Sequence, residues 1–157
     1  MRTTCLLLCL AACGSSSSSG GPTRIGKTGL AISLPAGTRL EDDNHDGKAF
    51  GADVPRAGGY DRVSIVTGEA MPSDYALGAK RREGELVGDT DIRVRAEPGG
   101  LVEYSAVLQP SSAVGPSPLN AVETWFPVDG GAVACRATSV DPASPALAAC
   151  RSLGKAR

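Results

Sequence analysis

The sequence predicts an α+β fold: a mainly antiparallel sheet of about five to six strands, two hairpins among them, with a central and a C-terminal helix packed on it. Three observations carry that expectation. Two pairs of alternating runs each close on a glycine-bearing turn, residues 92–96 with 102–108 and residues 119–128 with 132–140. Helical signals occur only twice, near residues 73–83 and 144–153. Strand and helix do not alternate repeatedly, which argues against a doubly wound parallel sheet.

In chain order, Gly29-Leu-Ala-Ile-Ser-Leu34 opens the folded part, with Leu30, Ile32 and Leu34 at the period of a half-buried strand. Pro35-Ala36-Gly37 stops it. Residues 41–60, rich in Asp, Gly and Asn, read as loop, and Arg62 to Thr67 reads as a second strand through Val63, Ile65 and Val66. Ser73 or Asp74 caps the first turn of the central helix, Gly84 closes it, and Lys80-Arg81-Arg82 falls in its last turn, where cations complement the dipole.

The first hairpin turns at Glu97-Pro98-Gly99-Gly100. Ile92, Val94 and Ala96, then Val102, Tyr104, Ala106 and Leu108, form its dry face; Arg93, Arg95, Glu103 and Ser105 form its wet face. The second hairpin turns at Asp129-Gly130-Gly131, a composition suited to positive φ. Ser144-Pro145 then starts the terminal helix, whose Ala146, Leu147, Cys150 and Leu153 share one stripe. Cys150 lies on that stripe, and Cys135 is in phase with Val133 and Ala137 on a strand face that can receive it.

The chain has 157 residues, with 16 Lys and Arg against 17 Asp and Glu, so it carries no electrostatic footprint for nucleic acid. Aromatic residues make up only 4%, which predicts an aliphatic core. At the N-terminus one cation, Arg2, precedes the short apolar run Cys5-Leu6-Leu7-Leu8-Cys9-Leu10, and Gly14-Ser15-Ser16-Ser17-Ser18-Ser19-Gly20-Gly21 follows as a tract too polar to pack. A basic start, an apolar centre and small residues at the end are the parts of an export signal. The run is far too short to span a bilayer, which takes about 20 residues.

Leu10-Ala11-Ala12-Cys13, between the run and the serine tract, resembles the lipobox of bacterial lipoprotein precursors. The resemblance implies that the Cys13 thiol receives a diacylglyceryl group, that the chain is cut before it, and that the new amino terminus is acylated. Residues 1–12 are then a signal peptide, 13–23 the lipidated cysteine and its flexible tether, and 24–157 a single globular domain. More than one acyl chain is needed for stable anchoring. Gly14 is not the aspartate that favours inner-membrane retention in such proteins. The implied location is the cell envelope, on the outer membrane, facing the periplasm or the exterior.

Five cysteines are present; with Cys5 and Cys9 removed and Cys13 lipidated, Cys135 and Cys150 remain. An even remainder in an exported chain reads as one disulfide, with two buried thiols as the other reading. Over residues 25 to 153 the order of opening strand, central helix, meander and terminal helix resembles the domain shared by Mog1 and PsbP. That group consists mostly of binding and assembly proteins, which implies an envelope protein partner. No functional residue is carried over from it.

Three places bear on chemistry. Asp42-Asp43-Asn44-His45-Asp46-Gly47, continuing to Asp53, resembles an EF-hand calcium loop. Asp42, Asn44, Asp46 and Asp53 stand at positions 1, 3, 5 and 12, and Gly47 at 6. The twelfth residue is Asp rather than Glu, position 8 is Ala49, and no helix precedes the loop. The competing reading is an acidic surface loop without calcium. His45, the only histidine, has no partner for zinc or for nucleophilic catalysis and reads as a solvated loop residue. No Gly-x-Ser-x-Gly or phosphate loop is present, so the expectation is a non-enzymatic module without a cofactor.

Finally, Glu103 and Glu123 stand among Arg93, Arg95 and Arg136, read as cross-strand ion pairs on a wet sheet face. Trp125 shares the parity of Glu123. Trp125, Arg95 and Glu123 are therefore the candidate binding face; a helix or loop covering Trp125 is the competing reading.

Overall fold

The structure is a computed structural model that describes residues 20–98, 100–111 and 115–156; the signal segment, Cys13 and the first part of the tether lie outside these residues. Ten strands and two helices are present in the described residues. Strands β1 (Pro22–Arg24), β2 (Leu30–Ser33) and β10 (Gly154–Lys155) form a small sheet in the order β1-β2-β10. The large sheet is made from β3 (Glu41–Asp42), β4 (Ala49–Arg56), β5 (Gly59–Glu69), β6 (Thr90–Ala96), β7 (Val102–Leu108), β8 (Leu119–Val128) and β9 (Gly131–Ser139). Its order is β3-β4-β5-β9-β8-β7-β6, and every ladder is antiparallel. Helix α1 (Asp74–Val87) and helix α2 (Pro145–Arg151) complete the α+β fold.

Ten strands replace the five to six expected. The main addition is β4, in a stretch whose Asp, Gly and Pro content reads as loop. The alternation of buried Phe50, Ala52 and Val54 decides it, because each side chain joins the core while the ladder to β5 satisfies the backbone. Strand β1 also takes in Pro22 and Thr23, which the sequence assigns to the tether.

Helix α1 differs from expectation at its end. Ser73 caps it, accepting the Ala76 N–H at 3.2 Å, but the helix runs through Gly84 and stops at Gly88, whose φ of 87° supplies the left-handed cap. Lys80-Arg81-Arg82 therefore lies in mid-helix, and no cation occupies the last turn. Ser144 caps α2, with Pro145 at its first position, as the sequence suggests.

The large sheet is covered on both faces. On one, α2 and the small sheet enclose Ile25, Leu30, Ile32, Val54, Val63, Ile65, Val122, Val133 and Leu147. Each such side chain contributes about 1.5–3 kcal/mol when fully buried. Cys135 of β9 and Cys150 of α2 form a disulfide there, Cα atoms 5.4 Å apart. Thr124, fully buried, donates to the Cys150 carbonyl at 2.9 Å and ties β8 to the same helix. On the other face α1 covers Val102, Tyr104, Ala106, Trp125, Ala132 and Ala134 through Leu77.

The register between β7 and β8 corrects the reading of the two glutamates. Tyr104 pairs with Glu123, and Glu103 with Thr124. Facing residues share a side of the sheet. Glu103 and Glu123 are consequently on opposite faces, and the dry face of the first hairpin continues into the polar face of the second.

Candidate functional site

That continuation makes a cleft. Between the second half of α1 and strands β7, β8 and β9 lies a cavity of about 340 Å³, within the size range of small-molecule sites. Its apolar surface includes Gly84, Val87, Leu108 and Ala121; its polar groups are Lys80, Glu83, Asp89, Tyr104, Glu123, Arg136 and Thr138. Gly84 permits the close approach of helix to sheet. A Cβ there would stand 3.1 Å from Asp89 Oδ2 and from Ile92 Cδ1, and 3.2 Å from Tyr104 Oη.

The cations are held in place. Arg136 makes a two-pronged pair with Glu69, at 2.7 and 2.6 Å, and reaches Glu123 at 3.3 Å. Lys80 pairs with the other oxygen of Glu123. The Lys80 ammonium lies 4.7 Å from the centroid of Tyr104 and 5.7 Å from that of Trp125, and the Arg136 guanidinium 6.0 Å from Trp125. Such distances are those of cation–π attraction. The forked hydrogen bond from Arg136 holds the Glu69 carboxyl below its ordinary pKa despite partial burial. Burial, and then the anionic field of Asp89, Glu123, Glu83 and Glu85, push the Tyr104 phenol up. Tyr104 is thus a protonated hydroxyl, able to donate a hydrogen bond and not to act as a base near neutral pH. The arrangement offers an apolar floor, a phenol donor, fixed cations and three carboxylates, Glu83, Asp89 and Glu123, a set suited to an amphipathic molecule.

The candidate binding face is not brought together as expected. Trp125 is only 6% exposed, beneath α1, so the covered reading holds. Glu123 lies beside it, but Arg95 is on the opposite face, where it pairs with Glu103 at 2.9 Å. The sequence marks Lys80 only as part of the Lys80-Arg81-Arg82 run, a solvated helix end or a contact for an anionic surface; it gives no site signal for Tyr104, or for Glu69, which holds Arg136. The parity of Tyr104 with Leu108 was legible; its meeting with Glu123 depends on a register set across a long connection.

The acidic loop is a hairpin turn between β3 and β4. Asp42 accepts the Gly47 N–H at 2.9 Å, Asp46 the Lys48 N–H at 2.8 Å, and His45 sits exposed at a φ of 57°. Phe50 pairs with Asp42, so Asp53, three residues further along an extended strand, is carried about 10 Å away. There Asp53 pairs with Arg62 at 3.0 Å, and Arg62 also grips Asp43. The structure does not gather Asp42, Asn44, Asp46 and Asp53 around a point. Among the described residues, no group of three or more His, Cys, Asp or Glu is placed to hold a metal ion.

A separate polar cluster lies at the far end of the core. Asp61, 6% exposed, accepts from Arg56 at 2.8 Å and from Ser139 and Ser144 at 2.6 Å each. Burial alone would raise its pKa; the three donors outweigh it and hold the carboxyl below its usual range. Its place beside the cap of α2, with every oxygen engaged, makes it a structural tie.

Comparison of the chain with protein-family models, with curated proteins and with solved structures finds no match. Among the described residues no helix is long and apolar enough to cross a membrane.

Proposed function

We propose that the chain is a bacterial lipoprotein, anchored through Cys13 in the cell envelope, whose domain is a non-enzymatic binding module using the cleft beneath α1. The anchor reading rests on the lipobox resemblance at Leu10-Ala11-Ala12-Cys13 and on the serine-rich tether behind it. A disulfide is consistent with an oxidising compartment. The observation that carries the binding reading is the cavity of about 340 Å³, in which apolar surface and convergent polar groups meet.

The ligand is a small amphipathic molecule, its apolar body on Ala121 and Leu108 and its polar end between Tyr104 and the cations. Because Lys80 and Arg136 lie over the ring of the single tryptophan, an occupant that shifts either cation alters Trp125 emission. Native mass spectrometry of membrane-extracted protein is expected to show a co-purifying small molecule that the cleft-filling variant Ala121→Leu loses. Protein with no adduct, and no Trp125 response to a panel of neutral, cationic and anionic amphiphiles, would remove this reading.

A further inference from the structure

On the sheet face opposite the cleft, three arginines from two elements converge. Arg93 and Arg95 are two residues apart on β6, so both point to the same side, roughly 7 Å apart along the strand. The register places Arg93 beside Ser105 and Arg95 beside Glu103. Arg151, in the last turn of α2, reaches over from the helix layer. Together Arg93, Arg95, Glu103, Ser105 and Arg151 line a hollow of about 300 Å³. A second hollow adjoins it and shares Arg93, Ser105 and Arg151.

The charge count in this hollow is lopsided. Glu103, 8% exposed, is its only carboxylate, and it is divided between Arg95 at 2.9 Å and Arg151 at 3.5 Å. The nearest other acids stand outside: Glu97, on the turn, touches Arg95 at 3.2 Å, and Asp91 lines the adjoining hollow. Arg93 makes no ion pair or side-chain hydrogen bond among the described residues. Glu103 thus cross-braces two guanidiniums, Glu97 adds a second partner to Arg95, and one positive charge is left in excess, that of Arg93. Guanidinium forks match the oxygens of phosphate, and a phosphate monoester carries about −1.5 to −2 charges near neutral pH. Ser105 adds a hydroxyl donor.

We infer that the Arg93–Arg95–Arg151 hollow is a phosphate-binding site, separate from the cleft beneath α1. Free phosphate compounds and phospholipid headgroups share that chemistry, and the test separates them. The full chain carrying Cys13→Ser is used, so that an acyl anchor does not itself drive vesicle binding. Inorganic phosphate is titrated calorimetrically at constant ionic strength, with acetate as the control. Vesicles of phosphatidylcholine with and without phosphatidic acid form the second arm.

Phosphate should bind, acetate should bind at least about tenfold more weakly, and Arg93→Gln should weaken phosphate about tenfold while leaving the melting temperature unchanged. Sedimentation with phosphatidic acid vesicles alone, lost in Arg93→Gln, assigns the site to lipid headgroups. Phosphate binding without vesicle preference assigns it to a soluble phosphate compound. Heat no greater with phosphate than with acetate, or an Arg93→Gln variant that binds phosphate like the parent, overturns the inference. Neither result touches the cleft, whose readout is Trp125.

Discussion

At the scale of single residues, the most consequential group outside the cleft is Asp61. Its carboxylate takes three charge-assisted or hydroxyl donors in a nearly dry site and connects β5 to the cap of α2. Removing it in Asp61→Ala leaves Ser139, Ser144 and Arg56 without their acceptor, and should cost about 3 kcal/mol in urea unfolding. The pH dependence has a defined sign. The folded-state pKa lies below that of the free carboxyl, so the stabilisation is complete above about pH 4 and disappears as pH falls through the folded value. Parent and variant stability curves should therefore converge on acidification; curves that stay parallel down to pH 2 would contradict the assignment. Glu123 has a different role. It is shared by Lys80 and Arg136, so Glu123→Gln should loosen both cations, change Trp125 emission and weaken any cleft occupant, with a smaller effect on stability than Asp61→Ala.

At the scale of elements, much of the fold was legible in local chemistry. The two hairpins, with their Pro-Gly-Gly and Asp-Gly-Gly turns, and the serine-capped α2 follow from alternation and capping alone. Strand β4 was obscured because Gly51, Asp53 and Pro55 interrupt the apolar residues, and only the ladder to β5 on one side and β3 on the other reveals it. The end of α1 was obscured because Gly84 resembles a cap; packing against Tyr104 and Ile92 makes a glycine useful there inside the helix. The cleft was illegible for a related reason. Which face Tyr104 shares with Glu123 is fixed by the register across residues 109–118, where no local pattern specifies it. Helix α2 is short, seven residues, and is held by the bridge to β9. Replacing Cys135 and Cys150 with serine should lower stability by about 3 kcal/mol in the chain-entropy view, read by urea melts under non-reducing conditions. An unchanged midpoint would mean that burial of Leu147 and Ala146 alone secures the helix.

At the scale of the whole molecule, the large sheet separates two hollows of different character, each proposed as a binding surface. The face under α1 holds an apolar cleft with tethered charges; the face under α2 holds a rim of guanidiniums. The placement of the protein depends on the chemistry of one atom, the Cys13 sulfur, and its most direct test is the intact mass of the chain extracted from native membranes without reductant. The expected species begins at Cys13, carries diacylglyceryl and N-acyl additions, and is two hydrogens lighter than the reduced chain. A species that retains residues 1–12, or that begins elsewhere with no acyl mass, would contradict the anchor and with it the envelope placement proposed for the binding module.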